Sequence, residues 1–456
     1  MSIIKSRIIF CLIVCFIWSS CSQEEKEVLP TPSQVTWADA EVGALFHLDV
    51  QVFEPEYKWR ETRDYQPDAS VFNPKDLDTD QWIASAKAAG ATYAVLVAKH
   101  CSGFSLWPTE AHDYSVKNSP WRNGEGDIVK DFISSCNKYG LKPGLYASAS
   151  ANAYYHVDNP GLVLSKDPEA QKAYNQMVAT QLTELWSNYG DLFEIWFDGG
   201  VLPVEKGGID MASLLLKHQP EAITFQGPFD YSNNIRWVGN EEGVAPYPCW
   251  SRADSTTTAT GMVQIKGLNG NPEGAYWCPG EADFALRKWT KEKPAFQGGW
   301  FWHEGEEDRI RPLDDLMNRY YETVGRNTNM LLGIVIDDRG LIPEADSIRL
   351  KEFGEAISEK FTKSLGSISG EGEQYYISFE KPQDVSCVVI EEDIANGERV
   401  REYDLFGETN QGWELLSKGQ SIGHKRIEVL TQQSLLGIKL KVTASKGHPI
   451  LSLNCF

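Results

Sequence analysis

Short apolar runs alternate with longer amphipathic stretches over the first three quarters of the chain. The runs at 42–47, 93–99, 142–148, 192–198, 222–226, 236–238, 274–278, 298–303 and 330–336 are too short for helices. They carry many β-branched and aromatic residues, which predicts strands. Between several of them, 79–89, 126–139, 167–189, 211–218 and 313–324 place apolar residues three and four apart, which predicts helices. Strands alternating with helices over about 300 residues predict an α/β fold, a (β/α)8-like barrel spanning 36–362. A doubly wound open sheet is the alternative, but no glycine-rich phosphate loop follows the first run.

The pattern changes after residue 362. The segment 364–372 is rich in glycine and serine and predicts a linker. Beyond it, 375–379, 385–391, 413–417, 426–430, 437–442 and 450–454 alternate with period two. No helical pattern intervenes, which predicts a small all-β sandwich over 363–456.

The amino terminus has a different pattern. Lys5 and Arg7 precede an apolar run at 8–18, followed by Ser19, Ser20 and Cys21. A basic region, an apolar region too short to span a bilayer and a small-residue cleavage site predict a signal peptide over 1–20. Cys21 directly after the small residues resembles a lipoprotein cleavage site. It predicts a lipidated Cys21, a tether over 21–35 and export as a bacterial lipoprotein to the outer-membrane surface or periplasm. Membrane contact would then come through the lipid alone.

Composition narrows the partners. A net charge of −21 excludes the basic surfaces that nucleic acid and anionic membranes need. Fifteen Trp and eighteen Tyr lean toward carbohydrate, because aromatic faces stack on sugar rings, although such residues also fill cores. Of nine Cys, three fall in the signal region and six are scattered without metal-ligand spacing, so no disulfide framework is expected.

Chemistry gathers at predicted strand ends, where barrel enzymes build their sites. Glu194-Ile-Trp-Phe-Asp-Gly-Gly200 is a buried strand that ends in a carboxylate and two glycines, so Asp198 is a candidate nucleophile or base. His47 ends the first strand and His100 follows the second. Tyr276-Trp-Cys-Pro-Gly-Glu-Ala-Asp283 brings Glu281 in a Pro-Gly turn. Two carboxylates from different strand ends are what glycoside hydrolysis needs, one to attack or activate water and one to protonate the leaving oxygen. Spacing in sequence leaves retention and inversion both open. No HExxH, Walker A or GxSxG pattern is present, and two carboxylates need no metal or cofactor.

Several ordered motifs resemble glycoside hydrolase family 29, the α-L-fucosidases. They include Ala98-Lys-His-Cys-Ser-Gly-Phe-Ser-Leu-Trp-Pro108, Lys138-Tyr-Gly-Leu-Lys-Pro-Gly-Leu-Tyr146 and Ile195-Trp-Phe-Asp-Gly199. Arg236-Trp-Val-Gly-Asn-Glu241, Pro279-Gly-Glu-Ala-Asp283, Gly299-Trp-Phe-Trp-His303 and Gly325-Arg-Asn-Thr-Asn329 continue the series. The resemblance implies a barrel followed by a β-sandwich and a retaining exo-glycosidase that releases terminal α-L-fucose from glycans. It implies Asp198 as nucleophile, Glu281 as acid/base, and His47, Trp59, His100, Arg287 and Trp300 as sugar contacts. Departures sit in the expected sugar pocket: Leu48-Asp49 follows His47, Cys101 stands where the family usually has a second His, and Lys58 precedes Trp59. Each changes a hydrogen-bonding group, so the same chemistry on a galactose-configured or substituted sugar is an alternative. A carbohydrate-binding lipoprotein without turnover is another, although a pure binder gains nothing from paired carboxylates.

Overall fold

A computed structural model describes residues 27–62, 65–257, 263–289 and 299–456. The signal segment and Cys21 lie outside the described residues. Eight parallel strands close into a barrel: β1 Val42–His47, β2 Tyr93–Lys99, β3 Lys142–Ala147, β4 Glu194–Trp196, β5 Ile223–Phe225, β6 Asn234–Trp237, β7 Gly280–Ala285 and β8 Thr328–Val335. Each pairs with its neighbours in sequence, and β8 closes on β1.

The two-residue period of the strands sorts their side chains. Leu45, Tyr93, Val95, Tyr146, Trp196, Phe225 and Leu331 fill the barrel interior. Phe46, Leu96, Ile195, Phe197, Phe284 and Leu332 face the surrounding helices. That alternation turns Glu194 and Trp196 inward and carries Asp198 to the inner side of the rim.

Helices Thr79–Ala88, Ile128–Tyr139, Pro168–Ser187 and Met211–His218 each start on an Asp whose carboxylate accepts a backbone N–H of the first turn. Such a cap typically stabilises by about 1 kcal/mol. Leu313–Glu322 and Glu344–Thr362 complete the outer layer, the last absent from the predicted elements.

Beyond Thr362 lies a six-stranded antiparallel sheet of Gly366–Glu371, Gln374–Glu392, Val400–Thr409, Gly412–Gly419, Arg426–Ser445 and Ile450–Cys455. Its two long strands are interrupted by bulges, and Ile377, Val388, Ile390, Leu405, Leu440 and Leu453 join in one core. Asn327 ties this sheet to the barrel. Its amide donates to Cys249 O and Glu398 Oε1, and its carbonyl accepts His424 N. Asn329 similarly donates to Trp37 O, so the Asn327-Thr-Asn329 segment is structural, as its polarity before a buried strand predicts.

Three expected elements differ. The segment 364–372 is largely strand rather than linker, pairing with the C-terminal strand. The run at 274–278 contributes only Tyr276–Trp277, to a small antiparallel insertion with Arg252–Thr257. Among the described residues of 298–303 there is no strand. The true seventh barrel strand is Gly280–Ala285, whose inward positions include Glu281 and Asp283, so it does not have the apolar pattern of a buried strand.

Candidate active site

The barrel floor is closed by buried carboxyls. Glu281 is fully buried; its Oε1 accepts Trp196 Nε1 at 2.9 Å and its Oε2 accepts the Tyr93 hydroxyl at 2.8 Å. Glu194 beside it is also fully buried. Burial raises the pKa of both, and the charge of Glu281 raises Glu194 further, so the pair retains a proton. The strand carrying Glu281 runs four more residues to Ala285, about 13 Å at the usual rise per residue. Glu281 therefore lies deep beneath the rim instead of in an exposed turn, with both oxygens engaged. This corrects its assignment as acid/base: a group sealed below Trp196 cannot meet a leaving group or water.

Asp198 sits two residues past β4, half-buried at the C-terminal mouth. The turn that presents it needs glycine. Gly199 has φ +73, and a Cβ there would approach Asn159 Nδ2 to 2.2 Å. Gly199 N donates to Gln226 Oε1 at 3.0 Å, and Ser150 donates its hydroxyl to Asp198 O. Asp198 Oδ2 accepts the Tyr146 hydroxyl at 2.9 Å. Burial raises the carboxyl pKa, while the Tyr146 bond and the nearby Arg60 charge lower it. The last two favour the ionised, nucleophilic form.

Around Asp198 the strand ends converge. A ring nitrogen of His100, Cys101 Sγ and an Asp198 oxygen all lie within 4.8 Å of one another. His47 and His100 flank Phe301, with centroids at 5.2 and 5.0 Å, and the Trp300 ring stands 5.0 Å from His47. Burial holds both imidazoles neutral, each down to about 3. Their Nδ1 atoms have no hydrogen-bond partner among the described residues, that of His100 facing Asp49 Oδ2 at 3.9 Å. Trp300 reaches the mouth because β8 has Gly333 there; a Cβ would come within 2.4 Å of the indole.

One further carboxylate stands at this mouth. Glu241 follows β6 on an exposed turn with φ 50, and Trp300 Nε1 donates to its Oε2 at 3.2 Å. Its pKa is raised by crowding against the protein; the Trp300 bond opposes this, and the Asp198 charge adds to it. The Asp198 charge thus favours the protonated form of Glu241. A protonated carboxyl beside an ionised one is what general-acid catalysis next to a nucleophile requires.

The chain is similar to known proteins over most of its length. A profile of the α-L-fucosidase family fits residues 29–360. Alpha-L-fucosidase 1 of Arabidopsis thaliana is 31% identical, over 93% of this chain and 87% of that protein. The chain belongs to the α-L-fucosidase family, glycoside hydrolase family 29. A Bacteroides thetaiotaomicron crystal structure superposes with TM-score 0.88 at 36% identity, covering 94% of this chain and 99% of that one. A glycoside hydrolase 29 family member from a rumen bacterium superposes with TM-score 0.78 at 29% identity, covering 94% of this chain and 77% of that one.

Within this fucosidase-family barrel, the structure brings Asp198, His47, His100 and Trp300 together. Trp59 is buried on the loop after β1, with the Arg60 guanidinium 4.5 Å from its ring centroid, and Arg60 in turn acts on Asp198. Lys58 points to Glu61 at 3.5 Å on the surface. Arg287 is the second correction. It is fully buried in a bidentate pair with Asp346 of the last barrel helix, at 3.0 and 2.8 Å, and so braces the helix layer instead of holding sugar. Sequence reasoning passed over Tyr146, Arg60 and Glu241 as site residues. For Glu241 a signal existed: it follows a strand of β6 type through a Gly-Asn turn, the same strand-end grammar that singled out Asp198.

Asp49, one of the departures, is buried and accepts Ser102 Oγ at 2.7 Å, Val50 N at 2.8 Å and Gln51 Nε2 at 3.2 Å. Its Oδ2 lies 3.9 Å from His100 Nδ1. Burial raises its carboxyl to about 7, against these three bonds. The six described cysteines are all free and buried.

Proposed function

We propose that the chain releases terminal α-L-fucose from fucosylated glycans with Asp198 as nucleophile and Glu241, in place of Glu281, as acid/base. Its activity is that of a retaining α-L-fucosidase. The observation that carries the residue assignment is the pairing at the barrel mouth of Asp198, held by Tyr146, with Glu241, held by Trp300. Asp198 attacks the anomeric carbon and forms a fucosyl ester as Glu241 gives its proton to the leaving oxygen. Glu241, now a base, takes a proton from the water that attacks the ester from the opposite side. Two inversions leave the configuration unchanged. The neutral histidines His47 and His100 are placed to hold ring hydroxyls, and Trp300 and Phe301 wall the apolar face of the sugar. Hydrolysis of an aryl α-L-fucoside followed by proton NMR tests this: the first-formed fucose is the α-anomer, whereas initial β-fucose contradicts a double displacement.

Export as a lipoprotein is proposed with it, supported by the basic, apolar and Ser-Ser-Cys21 order of the leader. Metabolic labelling with a radioactive fatty acid in the bacterial host should mark the chain and fail with Cys21→Ser. Equal labelling of both contradicts the anchor.

A further inference from the structure

Cys101 gives this pocket a donor set that sugar binding does not require. Ligand atoms of His100, Cys101 and Asp198, one nitrogen, one sulfur and one oxygen, lie within 4.8 Å of one another. Cys101 Sγ makes a long contact to Ser148 Oγ at 3.6 Å and lies against the Tyr146 hydroxyl, which also holds Asp198 through Oδ2. The Asp49 carboxylate stands 3.9 Å from His100 Nδ1, where the carboxylate that orients a metal-bound imidazole is commonly found. Asp198 is half-buried at the barrel mouth, which is the side from which an ion would reach the set.

From this we infer that the glycone pocket is a binding site for a thiophilic divalent cation of the zinc class, held by His100, Cys101 and Asp198. Donors around zinc lie at about 2.0–2.3 Å from the ion, hence roughly 3.3–3.8 Å from one another, so the three side chains close by about 1 Å on binding. The mixed nitrogen, thiolate and carboxylate set selects zinc, cobalt or cadmium over magnesium or calcium, which prefer oxygen alone. On binding, the Cys101 S–H bond is replaced by a sulfur–metal bond and the proton leaves to solvent. A fourth position is left for water, as in zinc sites with three protein ligands. The consequence is inhibition, which rests on the nucleophile assignment above: an ion on the Asp198 carboxylate removes the attacking oxygen and occupies the sugar's place.

The test uses the purified full chain and the metals alone. Titration with Co2+ should give one ion per chain, with a thiolate-to-cobalt charge-transfer band that Zn2+ bleaches. Cys101→Ser should lack the band, and Cys101→Ala serves the same purpose if the Ser variant misfolds. Zn2+ should inhibit α-L-fucoside hydrolysis competitively and reversibly on chelation, at concentrations roughly tenfold or more below those needed for the Cys101 variant. Absence of the band in the wild type, its persistence in the variant, or equal zinc sensitivity of the two would overturn the site. A band in a chain that turned over no fucoside would uphold the site and count against the activity, so the two failures are distinguishable.

Discussion

Asp198→Ala lowers kcat for an α-L-fucoside by roughly ten-thousandfold to a millionfold, the scale seen when a residue forming the covalent intermediate is removed. The expectation follows from geometry. The acid partner, the histidines and the aromatic wall all remain, yet no other carboxylate sits where Asp198 does, on the inner side of the β4 end. Folding should be little changed, because Asp198 is half-buried and accepts one side-chain bond, from Tyr146. Circular dichroism melts of variant and wild type should then agree within a few degrees. Added azide should restore part of the rate by entering the space of the lost carboxylate, and the product should be the β-fucosyl azide. An unchanged kcat would remove Asp198 from the chemistry.

Glu241→Ala and Glu281→Ala should fail in opposite ways. Loss of a general acid costs about a hundredfold to ten-thousandfold, and the cost depends on the leaving group. Glu241→Ala should therefore be slow on a natural fucosyl disaccharide and nearly normal in the first step on a dinitrophenyl fucoside, which departs without a proton. Its pH profile should also change. In the wild type, activity falls at low pH as Asp198 gains a proton and at high pH as Glu241 loses one. The raised pKa of Glu241 places that second loss above the ordinary carboxylate range. Without Glu241 the alkaline limb disappears.

Glu281→Ala leaves Trp196 Nε1 and the Tyr93 hydroxyl without their buried acceptor. That should cost about 2–5 kcal/mol of stability. Trp196 stacks on Phe225 at 3.8 Å and lies against Tyr146, so the damage reaches Asp198 through packing. The folded fraction should still show a bell-shaped profile and ordinary leaving-group dependence. If the leaving-group dependence instead changed in Glu281→Ala and not in Glu241→Ala, the two roles would be exchanged.

Much of this was legible in the chain, and the parts that were not share a physical cause. Strand ends announced themselves where the strand was apolar: Val42–His47 and Tyr93–Lys99 have the bounds their patterns predict, and Asp198 stood out as a charge after an aromatic run. Gly280–Ala285 escaped because barrel interiors accept polar groups when other interior groups satisfy them, and Glu281 is bonded to two. Its neighbouring Pro-Gly pair made a buried strand look like a turn. Arg287 was misplaced for a related reason: sequence cannot tell a guanidinium bound for sugar from one bound for Asp346, 59 residues away. Glu241 was hidden by ordinary surface appearance, since its Trp300 partner comes from another strand connection. Only closure of the barrel puts the two at one mouth.

Trapping the intermediate tests the central claim most directly. A 2-deoxy-2-fluoro-fucosyl fluoride reacts through the first displacement, and the fluorine slows breakdown of the ester enough for the adduct to be isolated. After peptic digestion and tandem mass spectrometry, the label should lie on Asp198, within the peptide that contains Glu194-Ile-Trp-Phe-Asp-Gly-Gly200. A label on Glu241, on Glu281 or on any other carboxylate would contradict the account.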